Sequence, residues 1–226
     1  MTRALGGPSN LVDLLRSHAA ELSGKRACTF LTDGEVEAEW LSYADLDRRA
    51  RAIASHLRER GLAGERVLLL FPAGLELIAA FFGCLYAGAV AVPAYPPVSR
   101  RGLPQLQAIA ADARPAAALT TAVHLPRFQA LAAALPGMAG VAWLATDELP
   151  DELAESWRQP ELSGDSGERL AFLQYTSGST ASPKGVMVTH ANLLHNERRI
   201  GLAFEQSPES VVVGWLPLYH DMGLIG

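Results

Sequence analysis

Residues 175–185 read YTSGSTASPKG, five Ser and Thr hydroxyls ahead of a proline, a lysine and a glycine. That mixture suits a phosphate. Gly178 lets backbone N–H groups come close to an anion, Thr176, Ser177, Ser179 and Thr180 add hydroxyl donors, and Lys184 brings a positive charge. Pro183 stiffens the approach to Lys184. A Walker A loop would need Gly-Lys-Ser/Thr opening a helix, whereas here Pro183 stands in place of the second glycine, Gly185 in place of the hydroxyl residue, and the VMVTH that follows has the pattern of a strand. Composition alone would equally fit a surface turn. The order strand, hydroxyl-rich loop, Pro-Lys-Gly, strand is rarer than the composition. A second group lies downstream, where WLPLYHDMGLIG at residues 215–226 places His220 beside Asp221. A lone histidine next to an aspartate is commonly a satisfied structural pair, and Trp215 and Tyr219 read more readily as core than as site. His190, His195, Glu197 and Arg198 read as the surface of a helix after the loop, with no spacing that would make a metal set, so no metal ligand is assigned.

The surrounding elements follow from hydrophobic period and punctuation. Ser9 and Asn10 can cap a helix with Leu11, Leu14, Leu15 and His18 on one face, and residues 27–31 and 36–41 are strand-like runs around the turn-forming Thr32, Asp33 and Gly34. Ser42 precedes a helix carrying Leu46, Ile53 and Leu57, which Gly61 can close. From there short apolar strands alternate with helices: strands at 67–71, 89–92, 116–119 and 141–144, helices at 75–87, 103–113 and 128–135. Such alternation predicts an α/β fold of parallel sheets flanked by helices. A polar stretch, RQPELSGDSGE from Arg158, reads as a surface linker and sets an expected boundary near 165, with an N-terminal α/β subdomain over 1–165 and the start of a second subdomain over 166–226. Beyond it come strands at 170–175, 186–189 and 211–213 and a helix from Asn192.

Composition narrows the classes. With 226 residues and 49% hydrophobic content the chain can bury a sizeable core. A formal net charge of -5, with no basic run longer than two residues, argues against nucleic acid as a partner. The uncharged stretch LIAAFFGCLYAGAVAV at 77–92 is too short to span a bilayer and ends at Pro93, so it reads as a buried helix running into a buried strand. Cys28 and Cys84 lie far apart in apolar surroundings and read as reduced core residues. The opening MTRALGGPSN has no apolar h-region, which gives a cytoplasmic expectation.

The motif YTSGSTASPKGV at 175–186 resembles the phosphate-binding signature of the adenylate-forming superfamily, which includes acyl-CoA synthetases, peptide-synthetase adenylation domains and luciferases. WLPLYHDMGLIG follows at the spacing that superfamily shows and resembles its next block, which lines the acyl pocket. Within it the chain resembles fatty acyl-AMP ligases, through AVPAYPP at 91–97, LTT at 119–121, FLQYTSGST at 172–180 and the HDMGLIG ending. The resemblance runs from about Leu11 onward and is sharp from 170 to 226.

That resemblance implies ATP-dependent activation of a fatty acid to an acyl-adenylate, with loss of pyrophosphate and passage of the acyl group to the phosphopantetheine of an acyl carrier protein. Thr176, Ser177, Gly178, Ser179, Thr180, Lys184 and Gly185 would hold the β and γ phosphates, with Lys184 stabilising the leaving charge. His220 would be the gate beside the acyl carboxylate, acting by positioning more than by proton transfer, with Asp221, Met222 and Gly223 shaping the turn. The superfamily's adenine-binding segment, Mg2+-associated acidic residue, ribose-binding aspartate and C-terminal domain would lie downstream. The chain is therefore expected to be an N-terminal part, inactive alone and poorly soluble. Three alternatives stay open: an acyl-CoA synthetase, separable by transfer to free CoA; an amino-acid-activating domain; and a non-catalytic nucleotide-binding or interaction protein, which would bind ATP without pyrophosphate exchange.

Overall fold

The computed structural model of the chain describes residues 8–160, 166–176 and 183–225. Helix α1 (Leu11–Glu21) starts at Asn10, whose side chain accepts the Asp13 N–H at 2.8 Å. Strands β1 (Arg26–Thr32) and β2 (Val36–Ser42) form an antiparallel hairpin closed through Asp33 and Gly34, both in the left-handed region. Ser42 and Asp45 then make a reciprocal capping box for α2 (Tyr43–Glu59).

The central sheet has six strands: β3 (Arg66–Leu69), β4 (Val90–Pro93), β5 (Ala117–Thr120), β6 (Ala142–Ala145), β7 (Leu170–Thr176) and β8 (Lys184–Thr189), in the order β6-β5-β3-β4-β7-β8. Helices α3 (Glu76–Ala87), α4 (Leu103–Ala113) and α5 (Leu125–Ala132) supply the crossovers. Both faces of the sheet are covered, so β3, β4 and β5 are largely apolar without alternation. Along the β3 run, Val67, Leu69 and Phe71 enter one core with Leu57, Phe81, Tyr86 and Phe172, while Leu68 and Leu70 enter the other with Leu106, Ile109 and Phe128. The 77–92 stretch is the buried helix and strand expected of it, and among the described residues no helix is long and apolar enough to cross a membrane. Cys28 and Cys84 are free thiols, both pushed up by burial. A short helix α6 (Leu153–Ser156) precedes Trp157, whose indole N–H donates to the Tyr86 carbonyl at 3.1 Å. The remainder of the polar stretch lies partly outside the described residues, and β7 then pairs in parallel with β4 through Phe172 and Ala91.

The α/β fold, with a mostly parallel sheet flanked by helices, is as expected, and three details differ. The sheet is mixed: β8 runs antiparallel to β7, because the seven residues between Thr176 and Lys184 can turn a hairpin but cannot carry a parallel crossover. Val211, Val212 and Val213 form no strand; they are exposed, and no described strand lies alongside to complete a ladder. His190 is no surface residue, since α7 (His190–Ala203) begins on it, capped by Thr189, and its ring is buried.

Candidate active site

The first half of the site is the end of the β7–β8 hairpin. Register puts Thr176 opposite Lys184 and Tyr175 opposite Gly185, and both Thr176 and Lys184 are exposed where the strands separate. A hydroxyl and an ammonium thus flank the two ends of the loop. Ser177, Gly178, Ser179 and Thr180 lie outside the described residues. The base of the hairpin is fixed by Tyr175, which is buried in the core under α4 and donates its hydroxyl to Asp112 Oδ2 at 2.6 Å. Burial first, then the carboxylate of Asp112, pushes the Tyr175 phenol well above its ordinary range, so it stays a donor. Gly185 has no room for a side chain: a Cβ there would sit 2.9 Å from Cζ of Tyr175.

The second half is the segment after α7. Trp215 is 89% exposed, contrary to the expectation that it packs in the core, since no described element faces it. At Pro217 the chain turns, His220 N–H bonding back to the Pro217 carbonyl at 3.0 Å, and a single helical turn α8 (Asp221–Leu224) follows with His220 at its N-cap. A Cβ on Gly223 would overlap the Pro217 carbonyl oxygen, so this turn requires glycine. Asp221 Oδ1 accepts the Met222 N–H at 2.9 Å, and the exposed His220 ring lies 5.5 Å from that of Tyr219. Tyr219 is half-buried and meets Tyr95 edge to face at 5.3 Å, which gives the 91–97 motif a structural purpose.

Gln174 joins the halves, and the motif reading passed over it. Buried in β7, it donates Nε2–H to the Tyr219 carbonyl at 3.1 Å. A lone amide in the apolar run LAFLQYT was the available signal. Among the described residues no group of three His, Cys, Asp or Glu could hold a metal ion. Two cavities, of about 60 and 110 Å³, are lined by none of Thr176, Lys184, Gly185 or His220. Both are small beside the several hundred Å³ of a usual ligand pocket. Thr176, Lys184 and His220 are all exposed.

Comparison with known proteins gives the family and the fold. The AMP-binding enzyme family model matches residues 15–226. The chain is 43% identical over 221 residues to a medium-chain-fatty-acid–[acyl-carrier-protein] ligase, JamA, of Moorena producens, covering 96% of this chain and 37% of that protein. It is 36% identical over 200 residues to the long-chain-fatty-acid–AMP ligase FadD32 of Mycolicibacterium smegmatis, covering 88% of this chain and 31% of that protein. A crystal structure of a fatty acid AMP ligase from Legionella pneumophila superposes with a TM-score of 0.87 at 42% identity, over 96% of this chain and 37% of that one. A second, of a fatty acyl-adenylate ligase from L. pneumophila in complex with acyl adenylate and pyrophosphate, gives 0.85 at 42% identity, with the same coverage of both chains, 96% and 37%. The chain spans about a third of the length of these relatives. From the family match over nearly its whole length, with the hairpin and the turn around His220 where they stand, the chain belongs to the AMP-binding enzyme family.

Proposed function

We propose that the natural protein carrying this chain activates a fatty acid with ATP and hands the acyl group to the phosphopantetheine thiol of an acyl carrier protein. The observation that supports it most is the tie between the two halves: Thr176 and Lys184 flank a hydroxyl-rich loop on the same strand pair whose Gln174 holds the carbonyl next to His220. In this reading a carboxylate oxygen attacks the α-phosphorus of ATP, a new P–O bond forms, the bond to the β-phosphate oxygen breaks, and pyrophosphate leaves. Lys184 and the hydroxyls of Thr176, Ser177, Ser179 and Thr180, with backbone N–H groups at Gly178 and Gly185, balance the charge on the departing phosphates. The exposed Lys184 ammonium and Thr176 hydroxyl fit that role. His220 orients the carboxylate. Mg2+ would supply further charge neutralisation on the phosphates, and no described residue set is assigned to it. A cytoplasmic address accompanies the dependence on ATP and a carrier protein.

Supplying the full-length protein with a fatty acid, Mg-ATP and, in parallel, free CoA or a phosphopantetheinylated carrier protein tests this. Mass spectrometry should find acyl groups on the carrier; efficient acyl-CoA formation would turn the reading to an acyl-CoA synthetase.

A further inference from the structure

Gln174 is 5% exposed, in a strand whose neighbours Ala171, Phe172 and Tyr175 are also buried. Leucine would fill such a place without an amide to satisfy, and here Nε2 donates to the Tyr219 carbonyl at 3.1 Å and, within its own strand, to the Tyr175 carbonyl at 3.4 Å, while Oε1 has no partner among the described residues. Of the two bonds Nε2 makes, the one to Tyr219 is the shorter and the one that leaves the strand. Tyr219 is held a second time through its ring, which meets Tyr95 edge to face from the segment after β4. Two adjacent strands of the sheet therefore hold one residue of the turn, by its backbone from β7 and by its side chain from beyond β4. Gln174 stands two positions before Thr176, and Tyr219 one before His220.

We propose that Gln174 is a positioning residue that keeps His220 in place relative to the Thr176–Lys184 hairpin, acting through the Tyr219 carbonyl and touching no substrate. This rests on the fatty-acid-activating reading above. Because the phosphate groups sit on the hairpin itself, loss of the tether affects the carboxylate side and spares the ATP side. In the full-length protein, Gln174→Leu should lower kcat/KM for the fatty acid by about tenfold, the weight of one neutral hydrogen bond, with KM for ATP unchanged. In a His220→Ala background the same substitution should cost less than about twofold, since the residue it positions is gone. Gln174→Asn, which keeps the amide but is one methylene too short, should reproduce the loss and serves if the leucine variant does not fold. Hydrogen–deuterium exchange gives a readout free of activity: residues 217–225 should exchange faster in either variant, with 184–189 unchanged. Equal losses in both backgrounds, a matching rise in KM for ATP, or unchanged exchange at 217–225 would overturn the proposal. If the unsubstituted protein forms no acyl-adenylate, the functional reading fails, and the exchange result alone decides whether the tether exists.

Discussion

Lys184 and Gly185 are neighbours expected to fail in different ways. Lys184 is exposed at the mouth of the hairpin, so Lys184→Ala should leave the melting temperature of the full-length protein nearly untouched. Its adenylation rate should fall by about 10²–10³-fold, the usual effect of removing one group that stabilises developing charge. Gly185→Ala should instead act on folding, because its Cβ would crowd the Tyr175 ring, itself buried and bonded to Asp112. A loss of about 1–3 kcal/mol in urea unfolding is expected, as for other overpacked positions. Thr176, Lys184, Gly185 and His220 could be named as candidates from the sequence because the motif fixes their identity and order. Gln174 and Tyr95 were not, because their importance lies in a contact with Tyr219 across 45 and 124 residues of sequence, which no local pattern encodes.

At the scale of elements, the apolar runs at β3, β4 and β5 were readable because burial on both faces leaves no polar positions to confuse the period. The strand expected at 211–213 failed for the opposite reason: β-branched composition describes what a strand would look like, while a ladder needs a neighbour. The start of α7 was misjudged through His190, whose Nδ1 accepts the Leu11 N–H at 3.4 Å and so ties the beginning of α1 to that of α7. Burial first, and Arg169 second, lower the His190 imidazole from its ordinary 6.5 to about 4, with Asp13 opposing. The unfolded chain therefore binds the extra proton between those values. Stability from this group is full above pH 6.5 and is lost as pH falls towards 4, by up to about 3 kcal/mol. His190→Gln should flatten that dependence, read as urea midpoints at pH 7 and pH 4.5; an unchanged slope would show that the ring is not held neutral by its surroundings.

For the whole molecule, the exposed apolar residues near His220 carry a second consequence. Leu202, Phe204, Val211, Val212, Val213, Trp215 and Met222 are all exposed in the stretch of chain around His220, and so many apolar side chains in water favour association. The isolated 226-residue chain should therefore self-associate on gel filtration, more so as its concentration rises. It should form no measurable acyl-adenylate, because an exposed Lys184 and His220 act in water-screened surroundings where charge stabilisation is weak. Everything else depends on the activation step itself. Its most direct test is to incubate the full-length protein with a fatty acid and Mg-ATP, without any acceptor, and to follow acyl-adenylate and pyrophosphate together. Equimolar appearance of the two, dependent on the fatty acid and lost in Lys184→Ala, is the expected result. ATP bound without either product, or hydrolysed to ADP, would contradict it.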